Sequence, residues 1–195
     1  MKKLLSAVFT LVIANSVMAN LPASRARIDV SSNKKFELFP VEGGNMTNII
    51  WGNQEDRKFA VFGQSGNLSE DKWMEVKFSF MSDSDGIVSL TLRGMSHRSK
   101  DKKNRNILWV IYDAVEINGA KIKNGNFSKA RNNRPTSWSG DHTLYITEGE
   151  DFKFGAAGVK SWHDKTFRQN IAVKKGEKVT ITVYAKSGGA EEATE

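Results

Sequence analysis

Two tryptophans in polar company are the residues of this chain best suited to chemistry. Trp162 is followed by His163 and Asp164, and Trp138 stands between Ser137 and Ser139-Gly140. The C–H faces of a sugar ring pack on an indole, and its hydroxyls need planar hydrogen-bonding partners. Trp supplies the first, and His, Asn, Asp and Arg supply the second. Both tryptophans fall in loop-like contexts and are candidate ligand contacts, together with His163; a packing role at an edge or in the core is the alternative for each. The charge run from His97 to Arg105 adds Arg98 and Arg105 as candidate contacts for sulfated or uronic-acid groups. Guanidinium groups match such planar anions. A solvated loop has the same composition.

Catalysis finds little support. The three histidines, His97, His142 and His163, have no metal-ligand spacing. No G-x-S-x-G nucleophile turn occurs. Nothing marks a pair of carboxylates, although any fold can bring two together. The expectation is a binding protein rather than an enzyme.

The elements that must position these groups read as strands. Apolar residues alternate through Met74, Val76, Phe78 and Phe80, and again through Val88, Leu90 and Leu92. Ser82 to Gly86 lies between them and has the composition of a hairpin turn. Ile107 to Ile117 is denser, the pattern of a strand covered on both faces. Phe167 to Val173 and Val179 to Ala185 read as an antiparallel pair turned at Lys174-Lys175-Gly176-Glu177. Trp109 falls in the dense strand and is expected in the core, and Trp51 and Trp73 in the core or at an edge. Asp113 interrupts the dense strand. A buried acid needs a partner, which leaves two readings: a sheet-edge carboxylate accepting hydrogen bonds, or a calcium ligand.

About ten short strands with Gly, Asn and Asp turns, and no helical period, predict a single antiparallel β-sandwich of jelly-roll type. Its domain is expected over residues 20–186, followed by a disordered tail at 187–195. The first nineteen residues read as a cleaved secretory leader: Lys2 and Lys3, an apolar run to Ala14, and Val17-Met18-Ala19 as the cleavage site. The apolar run is shorter than the roughly 20 residues a bilayer span needs, so no transmembrane segment is expected. The chain holds no cysteine, which suits a periplasmic or secreted bacterial protein of a size that needs no disulfides. The formal charge is +7; two of those charges belong to the leader. A positive exported chain favours an acidic or sulfated glycan over nucleic acid.

Three segments together resemble the galactose-binding-like β-sandwich carbohydrate-binding modules: Asn124-Gly125-Asn126-Phe127, then Pro135-x-x-Trp138, then the amphipathic pair near the end. Val110 to Ile117, with Asp113 inside it, looks like the hydrophobic-Asp-x-Val strand of those modules. Ser128 stands where they usually carry Glu, and the Asp113 strand precedes Asn124 instead of following it. The resemblance implies a jelly-roll fold, a structural role for Asn124 to Phe127, a structural calcium at Asp113, and a glycan ligand on loops or a concave face. The altered order implies a permuted strand order, or a first half that completes the same sandwich. A lone module with no catalytic partner also fits a structural or interaction protein of the envelope or matrix. A glycan hydrolase on the same fold is the third class.

Overall fold

The computed structural model describes residues 21–32, 36–39, 46–54, 57–98, 105–140, 145–146, 152–155 and 157–191; of residues 36–39, 46–54 and 57–63 it describes the backbone. The leader, His142, the middle of the charge run at residues 99–104, and residues 192–195 of the tail lie outside these, as does the Trp51 side chain.

The described residues form strands and turns, with no helix, and hence no helix long and apolar enough to cross a membrane. In chain order the strands are β1 (Ala26–Ser32), β2 (Phe36–Phe39), β3 (Met46–Gln54), β4 (Arg57–Ser65), β5 (Met74–Ser82), β6 (Gly86–Gly94), β7 (His97–Arg98) and β8 (Arg105–Asn118). They continue as β9 (Ala130–Arg131), β10 (Arg134–Pro135), β11 (Ser139–Gly140), β12 (Tyr145–Ile146), β13 (Gly158–Ser161), β14 (Phe167–Val173) and β15 (Lys178–Glu191). One sheet has the order β11-β14-β6-β1-β4-β3, the other β12-β13-β8-β15-β5-β2, with β7 beside β8. Every named pair is antiparallel. The protein is thus an all-β sandwich, and both halves of the chain supply both sheets.

Alternation builds the core. Ile28, Val30, Val88, Leu90, Leu92, Phe167 and Ile171 project from the first sheet and meet Val76, Phe78, Phe80, Val110, Tyr112, Ile181 and Val183 from the second. Each is essentially fully buried, worth roughly 1.5–3 kcal/mol for an aliphatic side chain removed from water. The Tyr112 hydroxyl crosses the core and donates to the Arg93 carbonyl at 2.7 Å, tying the sheets together. Burial pushes this phenol well above its ordinary range. Gln169 occupies an inward position of β14 but is polar; its amide exchanges two hydrogen bonds with the Lys123 backbone, at 2.8 and 2.9 Å.

Both expected hairpins are corrected. β5 and β6 lie in different sheets, and so do β14 and β15. Their turns are arches that carry the chain across the core. A two-residue hairpin needs left-handed backbone, and none of Asp83, Ser84, Asp85 or Gly86 has positive φ. The arches sit side by side: Gly176 N–H donates to the Ser82 carbonyl at 3.0 Å, and Lys175 N–H to Asp85 Oδ1 at 2.8 Å. That backbone bond, with the Lys174 charge, holds the Asp85 carboxyl below its ordinary value.

The dense strand behaves as expected, since Leu108 through Val115 are all buried. Its pairing with β15 slips twice. Ala114 faces Tyr184 while Tyr112 faces Ala185, which leaves Asp113 as the extra residue of a bulge. The second slip spans Gly188 and Gly189. A Cβ on Gly188 would lie 3.0 Å from Trp109 Cβ, so this glycine makes room for the indole. β15 therefore runs on to Glu191, and residues 187–191 are strand where composition suggested the start of a tail.

Replacing Gln169 by Leu keeps the volume and strands both polar groups of Lys123. Stability should fall by about 1–3 kcal/mol. Urea unfolding checks this; the midpoint should drop with an unchanged slope.

Candidate functional site

Four of the five expected ligand-contact residues come to one end of the sandwich. Trp162, His163 and Asp164 form the turn between β13 and β14, where the chain leaves one sheet for the other. The turn is closed by the buried Ser161, whose hydroxyl donates to the Lys165 carbonyl. Gly94, the last residue of β6, lets it pack closely: a Cβ there would lie 2.9 Å from the Leu108 carbonyl oxygen and 3.0 Å from Trp162 Cα. Arg105 reaches Asp164 from the start of β8, Nη1 to Oδ1 at 2.8 Å. Arg98 is its ladder partner on β7, so the ends of the charge run are paired strand rather than free loop. His97 belongs to the same ladder and meets the Asn106 amide at 3.1 Å.

Trp162 is half-buried and meets Trp109 edge-on, with centroids 6.3 Å apart and planes at 65°. Trp109 is held by its own partners: its Nε1–H donates to Glu191 at 2.7 Å, and the Lys160 ammonium lies 5.0 Å from the ring. The pair is worth about 1 kcal/mol beyond the area it buries.

A second group of charges at this corner is not among the expected residues. Arg27 and Asp29 point outward from β1, and Arg93 from the facing position on β6. Asp29 bridges the two arginines, to Arg27 Nε at 2.9 Å and Arg93 Nη2 at 2.7 Å. The Arg93 Nε–H is buried with no hydrogen-bond partner. The signal in the sequence is Asp29 between Ile28 and Val30, an acid at an outward strand position two residues from Arg27.

His163 stands between the two groups. Burial depresses its pKa, the Arg93 charge adds to that, and Asp164, 3.7 Å away, opposes it. Burial and the Arg93 charge together thus favour the neutral imidazole.

Trp138 is elsewhere and is corrected as a ligand contact. It is 6% exposed, its ring centroid lies 5.2 Å from that of Phe127, and its Nε1–H donates to the Asn124 carbonyl at 2.9 Å. Asn124 itself has positive φ, and its side chain bonds to the Lys129 backbone and the Thr136 carbonyl. Asn124 to Trp138 is therefore a self-bonded fold element with no open ring face.

Asp113 has no exposure. Oδ2 accepts the Phe154 N–H at 2.6 Å, while Oδ1 is buried and unpartnered. Burial raises its pKa, against the Phe154 hydrogen bond. Calcium takes six to eight oxygens. Among the described residues no group of three or more acids, histidines or cysteines is gathered to hold a metal. The Phe154 bond makes Asp113 a buried carboxyl that accepts from the backbone, at a bulge inside the sheet.

The outer face of the second sheet carries further aromatics, each with a lysine over it: Lys153 on Tyr184 at 4.3 Å and Lys186 on Trp73 at 5.1 Å. Beside them is an open polar cleft of about 390 Å³ lined by Lys77, Ser79, Glu116, Thr180 and Thr182. Comparison with family models, curated proteins and solved structures finds no match to this chain.

The two tryptophans should respond differently to truncation. Trp138→Ala should cost about 3–5 kcal/mol, as a core aromatic does, and half-buried Trp162→Ala less, about 1–3 kcal/mol for the ring pair and the area together; thermal unfolding monitored by circular dichroism measures both. His163 gives a pH signature. Its folded pKa is below the unfolded value near 6.5, so its contribution is full above that pH and is lost as pH falls through the folded pKa. The gap in melting temperature between the wild type and His163→Gln should shift across that window and stay constant above it.

Proposed function

We propose that this chain is an exported, non-catalytic carbohydrate-binding protein, a β-sandwich of jelly-roll type whose ligand is an acidic or sulfated polysaccharide. The observation that carries the reading is the corner where half-buried Trp162 adjoins His163 and the arginines Arg93 and Arg105. The half-buried indole offers a sugar ring apolar surface, and the guanidinium groups offer an acidic substituent its partners. The positive charge of the chain and its leader-like first residues support an exported protein that meets anionic polymers. The resemblance of Asn124 to Trp138 to carbohydrate-binding modules supports the jelly-roll assignment, and the rigid bonding of that loop agrees with a structural rather than a ligand-contacting role.

A second reading has an observation of its own. On the outer face of the second sheet, Trp109, Tyr184 and Trp73 each lie under a lysine of the same chain. Rings covered in this way favour a structural or interaction protein of the envelope or matrix over a broad sugar platform.

A glycan array followed by titration calorimetry on the mature protein tests the first reading. Binding to an acidic polysaccharide is expected, with its loss in Trp162→Ala while that variant stays folded at the assay temperature. A folded protein that binds no neutral, uronic or sulfated glycan, but captures one envelope protein in stoichiometric amount, would establish the second.

A further inference from the structure

The first sheet ends in a bare strand. β3 pairs with β4 on one side, and among the described residues no strand pairs with its other side. An open edge invites another strand, and proteins blunt such edges by keeping them short or by placing charges or proline on them. The other edges of the two sheets follow that rule. β11 and β12 have two residues each, and β2 has four, with Glu37 among them. β3 has nine residues and carries neither a charge nor a proline. Its pairing with β4 slips near both ends, between Met46 and Asn48 and between Gly52 and Gln54, and is regular over residues 48–52. That regular run offers an open ladder about 16 Å long.

We propose that β3 pairs antiparallel with β3 of a second copy of this chain, about a twofold axis at Ile50, so that the two first sheets become one. Charge selects this occupant. The chain carries a formal charge of +7, and a twofold contact sets each surface against itself. Like charges placed opposite one another repel, so a strand free of charge is where two such chains meet at least cost. A partner recognised by charge has nothing on β3 to read. Register fits the same occupant. The regular run is symmetric about Ile50, so the axis sets Ile50 opposite Ile50, Ile49 opposite Trp51 and Asn48 opposite Gly52. Through β4, Ile49 and Trp51 align with Ile28 and Val30, which are core residues, and Ile50 aligns with Asp29 in the outer row. Each opposed pair therefore stays within one face, as a continuous sheet requires. A β-branched residue opposite an aromatic is a favourable cross-strand pair, and the axis makes the Ile49–Trp51 pair twice. The slips on either side end the regular ladder and so set the register. The contact is independent of what binds at Trp162.

Sedimentation velocity over a concentration series tests the contact. The ladder is short and belongs with the weaker interfaces, so the protein should pass from monomer to dimer as its concentration rises. Ile50→Lys and Ile50→Asp should each remain monomeric, because each sets like charges against each other at the axis. An equal mixture of the two variants should dimerise again, since opposite charges then face each other. That rescue is expected only where β3 meets β3 at Ile50. Hydrogen exchange on the unsubstituted protein serves if the variants do not fold. Amides of residues 48–52 that point away from β4 should exchange more slowly at high concentration than at low. A monomer at every concentration overturns the proposal. So does a dimer that either substitution leaves intact, a mixture of folded variants that stays monomeric, or slowed exchange confined to another segment.

Discussion

Each long strand of the sandwich turns every second side chain toward one shared interior, and the chain satisfies both sheets by crossing between them at its turns. The crossings from β5 to β6 and from β14 to β15 are clasped to each other through Ser82, Asp85, Lys175 and Gly176. They bring β6 beside β14 and β5 beside β15 at the same time. The turn between β13 and β14 is a third crossing, and it carries Trp162 and His163. Tyr112 reaches across the core to the carbonyl of Arg93, so the backbone that bears the guanidinium bonded to Asp29 is fixed from the opposite sheet. The site is therefore an end-product of how the layers are stitched.

Alternation and turn chemistry made the strands legible and left their pairing hidden. Met74 to Phe80 and Val88 to Leu92 have the same period in a hairpin as in an arch. What separates the two is backbone handedness at Asp83 to Gly86 and the sheet each strand joins, and neither is written in composition. The buried run Leu108 to Val115 was readable because both faces are apolar. Its bulge at Asp113 was not, because a bulge depends on the register of β15. Gly188 and Gly189 looked like the start of a tail; the first is a glycine because Trp109 crowds its Cβ position, the second because its backbone is left-handed.

Local company singled out Trp162, His163 and Trp138 alike, and the fold leaves the first two half-buried while it buries Trp138. Both indoles are flanked by small polar residues in sequence. Trp138 folds inward because Asn124, fourteen positions earlier, offers it a carbonyl, and Phe127 a ring. Arg27, Asp29 and Arg93 come together across the β1–β6 ladder, a contact no single stretch of sequence displays. Their outward positions were legible once the strands were set, but their convergence on His163 required the fold.

The placement of β15 has a consequence for how such a chain is made. It is the last of the described strands in sequence, yet it lies in the middle of its sheet, paired with β8 on one side and β5 on the other. Until it arrives, those neighbours have no ladder between them and the interior stays open to water. The second sheet therefore cannot be completed until residue 191 has been delivered, and without that sheet the core faces of the first have no cover. A break before β15 removes the centre of the second sheet rather than an edge.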